Sequence, residues 1–322
     1  MGSSNPTAER RLEIGLALLA DGAADEAASV FEAALELDPG YAEAHFSLGQ
    51  ALEQLGQNGR AAESYRRYLA ADPGDRMGAS VRLAILGAAP TPERLPEAYV
   101  RTLFDQYAPR FDESLTHRLG YRAPGLLRQA VDAVRGSDAQ PVSVLDLGCG
   151  TGLAGEAFRD TASWLEGVDL SPAMVAKARA RKIYDALAVA ELTAALGRTD
   201  RRYDLIVAAD VLVYLGELGG LFAAVRRCLN PRGLFAFTLE STDEPGYVLR
   251  DRNRYAHNEL YVAAQAAVAG MELAALSRDW SRTEAGLPVD GLVVVLRCHG
   301  EDRMADVVAG THAPRGRGRL DA

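Results

Sequence analysis

A short apolar segment followed by glycines constrains the fold more than any other part of the chain. Residues 142–147 (Val-Ser-Val-Leu-Asp-Leu) are typical of a strand that is buried on both faces. Gly148, Gly150 and Gly152 follow, and their missing Cβ atoms let the backbone turn tightly and approach a ligand. A helix predicted from about Leu153 would point its N-terminus at that ligand. Strand, loop and helix together predict a site for a nucleotide-containing cofactor.

Asp146 discriminates between two classes of cofactor. Residues 150–155 (Gly-Thr-Gly-Leu-Ala-Gly) formally match the dinucleotide loop pattern, but the match begins well after the apolar run ends. Asp146, at the tip of the predicted strand, would repel a pyrophosphate and attract an ammonium group. Residues 144–152 (Val-Leu-Asp-Leu-Gly-Cys-Gly-Thr-Gly) resemble motif I of class I S-adenosylmethionine-dependent methyltransferases. That resemblance implies S-adenosyl-L-methionine as the cofactor, bound in part by Asp146, Gly148, Cys149 and Gly150.

A second predicted strand that ends in an acidic residue agrees with this resemblance. Residues 164–169 are predicted to form the next strand, and residues 167–174 (Gly-Val-Asp-Leu-Ser-Pro-Ala-Met) also resemble the family pattern. Asp169 ends this strand, where a carboxylate can accept both ribose hydroxyls of a nucleoside. The resemblance further implies that Leu170 and Met174 pack on the adenine.

The third strand, predicted near residues 187–190, leads to another acidic candidate. Glu191 stands where related families place an acceptor for the adenine amino group, with Leu192 beside it. Glu191 also fits the start of an ordinary helix, and the sequence leaves both interpretations open.

An aromatic helix is predicted just before motif I. Its apolar residues recur at helical spacing: Tyr99, Leu103, Phe104, Tyr107 and Phe111. Residues 104–112 resemble the helix that covers the cofactor in many small-molecule methyltransferases. The resemblance implies that Tyr99 and Tyr107 contact the methionine part of the cofactor. A stripe that belongs to the core is the alternative.

The candidates on the acceptor side come from two later segments. Asp210 and Tyr214 follow the predicted fourth strand at its carboxyl end, where α/β sheets bind ligands. Residues 254–257 (Arg-Tyr-Ala-His) open a predicted helix, and His257 is the candidate base. A charged helix start is the alternative for this cluster. The last two strands are predicted at 272–277 and 292–298, and they are expected to end the sheet in antiparallel orientation.

The N-terminal part repeats with a period of 34 residues, which is the tetratricopeptide period. Gly15 aligns with Gly49, Phe31 aligns with Tyr65, and Asp-Pro-Gly ends each unit. The segment resembles two tetratricopeptide repeats followed by a capping helix near residues 75–86. Such repeats brace a neighbouring domain, mediate self-association or bind a protein partner.

Composition limits the partners and the compartment. The net charge of −9 does not favour nucleic-acid phosphates, and the three cysteines form no CxxC pair. No apolar run approaches the roughly 18 residues that span a bilayer. We therefore expect a cytoplasmic protein that needs no metal and has neither a nucleic-acid nor a membrane partner.

The predicted architecture is an all-α tetratricopeptide-repeat domain followed by an α/β, seven-stranded Rossmann-like methyltransferase domain. The predicted boundaries are 1–88 for the repeats, 89–98 for a linker, 99–300 for the methyltransferase domain with its lid helices, and 301–322 for a flexible tail. The expected activity is methyl transfer to a small-molecule or carrier-bound acceptor. The alternatives are a protein or peptide methyltransferase that docks its substrate on the repeats, and a non-catalytic S-adenosylmethionine-binding assembly protein.

Overall fold

Paired helices form the N-terminal part of the computed structural model, which describes residues 3, 5–115, 119–136, 140–284 and 286–299. Helix α1 packs on α2, α2 on α3, α3 on α4, and α4 on α5. The bounds are α1 Pro6–Ala20, α2 Ala24–Leu37, α3 Ala42–Gln54, α4 Asn58–Ala71 and α5 Ala79–Ile85. The repeat predicted from the 34-residue period is confirmed, and α5 occupies the place of the capping helix.

Two glycines explain why the helix pairs approach so closely. A Cβ at Gly15 would lie 2.4 Å from the ring of Phe31, and a Cβ at Gly49 would lie 2.6 Å from the ring of Tyr65. Both rings are fully buried. The same contact therefore recurs in both repeats, and in each repeat the glycine makes room for the aromatic ring.

Nine strands and the remaining helices form the α/β part. The strands are β1 Val142–Leu147, β2 Ala162–Asp169, β3 Ala186–Val189, β4 Tyr203–Ala208, β5 Leu229–Ser241, β6 Tyr247–Arg250, β7 Arg254–His257, β8 Met271–Glu284 and β9 Leu287–Cys298. The helices are α6 Glu97–Tyr107, the single turn α7 Phe111–Glu113, α8 Ala123–Arg135, α9 Leu153–Phe158, α10 Pro172–Arg181, α11 Leu192–Arg198, α12 Gly219–Cys228 and α13 Glu259–Val268.

The main sheet has the order β3-β2-β1-β4-β5-β9-β8, with β1 to β5 parallel and β9 antiparallel to both neighbours. These are the seven strands that the sequence predicts, including the antiparallel finish. Strand β8 is longer than predicted, because it continues beyond Ser277 to Glu284. Its extension brings Ser281, Arg282 and Glu284 to the carboxyl end of the parallel strands.

A β-hairpin replaces the helix start predicted at residues 254–257. Strand β7 pairs with β6 and with the end of β5, where Glu240 faces Ala256 and Ser241 faces His257. The helix begins later, at Glu259, with the Asn258 side chain as its N-cap. The helical prediction was wrong because residues 254–257 pair with β6 and with the end of β5 as a short strand, whose last three residues are all buried.

The segment predicted as a linker packs on the α/β part. Leu95 N donates to Tyr214 O at 3.0 Å, and Gly216 N donates to Glu93 O at 2.8 Å. Tyr255 Oη donates to Pro92 O at 2.6 Å. The exact domain limits stay predictions, and the predicted tail 301–322 lies outside the described residues. None of the described helices is long and apolar enough to cross a bilayer.

The glycine packing of the repeats predicts the effect of one methyl group. Gly49→Ala should lower the free energy of unfolding by about 1–3 kcal/mol, because the added Cβ overlaps the Tyr65 ring. Gly59→Ala is the matched control, since no atom lies within 4 Å of its Cβ position on the exposed side of α4. Urea denaturation measures both variants. Equal stability of the two variants would contradict the packing argument.

Candidate active site

A cavity of about 340 Å³ lies at the carboxyl ends of β1, β2 and β4. One end is formed by the glycine loop and by the residues that follow β2 and β3. The middle is formed by apolar side chains of α6, α7 and the loop before α8. The other end is polar and lies near the end of β4 and the extension of β8. These three surfaces share one continuous space.

The glycine loop is fixed by the neighbouring strand. Gly148 N and Cys149 N both donate to Val168 O, at 2.8 and 2.9 Å. Gly148 has a φ of 80°, and a Cβ there would lie 2.4 Å from Val211. Gly148 and Gly150 line the cavity, so the loop presents bare backbone to it.

Asp169 connects the loop to the next helix. Its Oδ2 accepts a hydrogen bond from Gly150 N and its Oδ1 accepts one from Ser171 N, both at 2.8 Å. Ser171 in turn caps α10 through Met174 N. Burial raises the pKa of Asp169, and the carboxylate lines the cavity. Each oxygen retains a lone pair, so the group suits a ligand with two neighbouring hydroxyls.

Glu191 is both a helix cap and a cavity residue. Its Oε2 accepts from Thr193 Oγ1 at 2.5 Å and from Ala194 N at 2.8 Å. Burial opposes its ionisation, but these hydrogen bonds outweigh burial and lower its pKa. Glu191 therefore caps α11, as one sequence interpretation expects, and it also lines the cavity. Its role as an acceptor for the adenine amino group stays a prediction. Leu170 and Leu192 line the same end.

Three predicted cofactor residues lie beneath the loop rather than in the cavity lining. Asp146 is fully buried and accepts from Tyr184 Oη at 2.6 Å, while its Oδ1 has no partner among the described residues. Burial raises the pKa of Asp146 to about 7. Cys149 and Met174 are buried as well. The structure thus places Asp146, Cys149 and Met174 outside the cavity lining, and their contact with the cofactor stays a prediction.

The side chains of the predicted aromatic helix lie in two different environments. Tyr107, Phe104 and Phe111 line the cavity, and the rings of Phe104 and Phe111 meet edge to face at a centroid distance of 6.1 Å. Tyr99 does not line it. Its hydroxyl accepts from Asn253 Nδ2 at 2.9 Å, and its ring packs in a cluster with Leu95 and Tyr255. Tyr99 thus packs between the repeats and the α/β part, and its contact with the cofactor stays a prediction.

Asp210 is the centre of a buried ionic cluster. It has a φ of 57°, an uncommon conformation for a residue other than glycine. Its Oδ2 accepts from Arg282 Nη1 at 2.8 Å, and its Oδ1 accepts from Ser281 Oγ at 3.0 Å and Thr238 Oγ1 at 3.2 Å. These three donors engage both oxygens of the carboxylate, and a catalytic role of Asp210 stays a prediction. Asp210 holds Arg282 in place.

Arg254 belongs to the cluster 254–257 that the sequence indicates, whereas Arg282, Glu240 and Glu284 were not predicted. Arg282 also donates to Glu240, and Arg254 donates to Glu284. Arg282 is only 2% exposed, and its Nε has no partner among the described residues. Both arginines line the cavity. No local pattern marks Arg282, because its partners Asp210 and Glu240 come from distant parts of the chain.

Two tyrosine hydroxyls complete the polar end. Tyr121 and Tyr214 line the cavity, and burial raises the pKa of each. The Tyr121 hydroxyl has a long contact of 3.5 Å to Ala209 O. Both hydroxyls stay protonated near neutral pH and act as hydrogen-bond donors. Together with Arg254 and Arg282 they offer donors to a ligand that carries lone pairs.

His257 is placed away from the cavity lining. It is fully buried in β7, and its Nε2 lies 3.1 Å from Gly216 O. Its ring stacks on Tyr261 at a centroid distance of 6.1 Å. Burial lowers the pKa of His257 to about 4, so it is neutral near pH 7. The structure places His257 among packed side chains outside the cavity lining, and its role as the base stays a prediction.

Comparisons with known proteins agree with this geometry. Residues 145–235 match the model of the methyltransferase domain, and residues 12–76 match that of the tetratricopeptide repeat. One segment of the chain thus matches a methyltransferase domain, and a segment before it matches a tetratricopeptide repeat. Both resemblances seen in the sequence are thereby confirmed.

Relatives of this methyltransferase domain cover only part of the chain. Malonyl-(acyl-carrier protein) O-methyltransferase of Pseudescherichia vulneris is 30% identical over 35% of this chain and 45% of its own length. Trans-aconitate 2-methyltransferase of Acidovorax sp. (strain JS42) is 34% identical over 38% of this chain and 48% of its own length. The chain thus spans just under half of each relative.

A solved structure shares the fold of the methyltransferase domain. The 4+2 cyclase SpnF superposes with a TM-score of 0.51 and 17% identity, over 62% of this chain and 95% of that chain. At this identity the likeness concerns the fold alone, since one fold hosts different chemistries.

The buried Asp146 predicts a pH dependence of stability. Its folded pKa of about 7 exceeds the unfolded value, so the folded state binds the extra proton and stability falls as pH rises from about 4 to 7. Asp146→Asn keeps the shape without the titration. The variant should gain stability over the wild type by up to about 4 kcal/mol across this range. Urea denaturation at a series of pH values tests this, and a constant difference between the two proteins would contradict it.

Proposed function

We propose that this chain transfers the methyl group of S-adenosyl-L-methionine to a small-molecule or carrier-bound acceptor that presents a carboxylate. The observation that supports this most is the single cavity that joins the glycine loop, an apolar middle and a donor-rich end. The methyltransferase family match supports the cofactor. The acceptor is inferred from the polar end.

The residues of the loop end fit the cofactor. Gly148 and Gly150 line the cavity without side chains, which leaves room for close approach of a ligand. Asp169 has the free lone pairs for two ribose hydroxyls, and the Oε1 of Glu191 is not used in capping α11. Leu170 and Leu192 supply apolar surface for adenine, and Tyr107 lines the cavity toward the predicted methionine side.

The protein contributes positioning and the exclusion of water. The bound cofactor would supply an electrophilic methyl group on a sulfonium, so the reactive group comes from the cofactor and not from the protein. The apolar side chains of the middle, Leu103, Phe104, Phe111, Leu115 and Leu119, surround the space between the two ends. They hold an acceptor in line and keep solvent away from the transfer.

The polar end selects the acceptor group. Tyr121, Tyr214, Arg254 and Arg282 line it, and all are protonated donors. A carboxylate is the group that such donors orient best, and it is ionised near neutral pH. Its oxygen is a nucleophile without a base, which agrees with the engaged Asp210 and the remote His257. Two relatives are named for acidic substrates, malonyl thioester and trans-aconitate.

The repeats supply a second candidate role. A groove lies between α3, α5 and the hairpin turn, lined by Phe46, Gln50, Glu53, Gln54, Met77, Arg82, Tyr99 and Asn253. Because it borders both parts of the chain, it suits a peptide or a carrier protein that delivers an acceptor. Methylation of a docked protein is the alternative function, and self-association is the alternative use of the repeats.

The three cysteines are unpaired and buried, which fits the proposed cytoplasmic location.

The cofactor assignment predicts the effect of removing one carboxylate. Asp169→Ala should weaken the binding of S-adenosylhomocysteine tenfold or more, because both ribose hydroxyls lose their acceptor. Asp200→Ala removes the same charge at an exposed site outside the cavity and should bind like the wild type. Isothermal titration calorimetry measures all three proteins. Equal affinity of the Asp169→Ala protein and the wild type would refute the assignment.

The acceptor assignment predicts the product. With methyl-labelled S-adenosylmethionine, dicarboxylic acids and their acyl-carrier thioesters should receive label that is lost in mild base, as methyl esters are. Tyr121→Phe should lower this turnover by about tenfold with unchanged S-adenosylhomocysteine affinity, since only the donor to the acceptor is removed. Base-stable label on nitrogen or on a protein, or a Tyr121→Phe enzyme that matches the wild type, would contradict the assignment.

A further inference from the structure

Residues 91–96, which we call the interdomain strap, are held against the methyltransferase domain along their length. Arg94 forms an antiparallel bridge with Leu215, next to the backbone hydrogen bonds of Glu93 and Leu95 with residues 214–217. The side chain of Leu95 is only 2% exposed and packs with Val81 of the repeats and Tyr255 of the hairpin. The strap is thus an extra strand-like edge with a fixed orientation.

The strap forms a wall of the cavity at the end predicted to hold the nucleoside. Arg94 lines the cavity together with Asp169, Leu170, Glu191 and Leu192. Those four residues follow β2 and β3, which are neighbours in the sheet. Arg94 therefore faces the nucleoside end of the cavity from outside the main sheet.

The side chain of Arg94 has unused binding capacity. Its ion-pair partner among the described residues is Glu191, with Nη1 3.9 Å from Oε1. This distance is too long for a hydrogen bond, and the Arg94 side chain is 53% exposed. An exposed ion pair of this length contributes little to stability. The contact with Glu191 does not explain why the strap presents an arginine here.

We propose that Arg94 is an adenine-binding residue, which the strap contributes to the cofactor site. Its planar guanidinium covers one face of the adenine ring, while Leu170 and Leu192 pack against the ring and Glu191 Oε1 accepts from the amino group. A guanidinium stacks well on a flat aromatic face, and a lysine ammonium lacks that plane. The proposal rests on the proposed cofactor and assigns a binding role to a segment outside the matched family domain.

This role separates Arg94 from a mere partner of Glu191. If only its positive charge mattered, a lysine at the same place would serve equally well. If the flat group matters, lysine falls short although its charge is the same. Arg101, on α6, is exposed and does not line the cavity, so Arg101→Ala is the matched control for the loss of one surface arginine.

The test is isothermal titration calorimetry with S-adenosylhomocysteine on the full chain. We expect Arg94→Ala to bind about 3- to 30-fold more weakly than the wild type, Arg94→Lys to bind as weakly as Arg94→Ala, and Arg101→Ala to match the wild type. Thermal unfolding without ligand should be the same for all four proteins, because the Arg94 side chain is half-exposed. That result excludes a loss of folding as the cause of weaker binding.

The outcomes distinguish this proposal from the cofactor assignment. Arg94→Ala within twofold of the wild type, or full affinity in Arg94→Lys, overturns the role of Arg94 and leaves the cofactor assignment intact. A wild type that does not bind S-adenosylhomocysteine overturns both.

Discussion

The carboxylate of Asp169 is the interaction on which the rest of the site depends. It holds the glycine loop through Gly150 N and the start of α10 through Ser171 N, and it lines the cavity. One side chain therefore fixes two backbone segments and leaves lone pairs for a ligand. Because β1 and β2 are paired in register up to these residues, the sheet itself sets the position of the carboxylate. The carboxylate thereby adds to the hydrogen bonds of Gly148 N and Cys149 N to Val168 O, which hold the same loop.

A second anchor works at the opposite end of the cavity. Asp210 orients Arg282, and Glu240 and Glu284 neutralise Arg282 and Arg254. A buried ionic cluster is costly unless every charge is paired, and here the pairing is nearly complete. The arrangement keeps guanidinium and hydroxyl donors in a space that is otherwise apolar. The two ends thus differ in chemistry, which suits a cofactor at one end and an acidic acceptor at the other.

The sequence predicts those parts of the fold that depend on local patterns. The 34-residue period predicted the repeats, because Gly49 and Tyr65 must fit each other, and the residues around Asp169 predicted the end of β2. The sequence does not predict the placement of side chains where distant segments meet. The positions of Tyr99, His257 and Arg282 depend on the hairpin β6–β7, on the length of β8 and on the docking of the strap. The full burial of Asp146 is likewise not visible in its motif.

The repeats and the methyltransferase domain are joined by contacts that also shape the cavity. Arg82 of α5 donates to Asp251 O of the hairpin turn. The strap follows α5 in the chain and contributes Arg94 to the cavity wall. The measurement that tests the account most directly is a crystal structure of the full chain with S-adenosylhomocysteine. We predict the ligand in this cavity, with both ribose hydroxyls within hydrogen-bond distance of Asp169 and the adenine beside Glu191. Ligand density elsewhere, or a ribose that does not contact Asp169, would contradict the account.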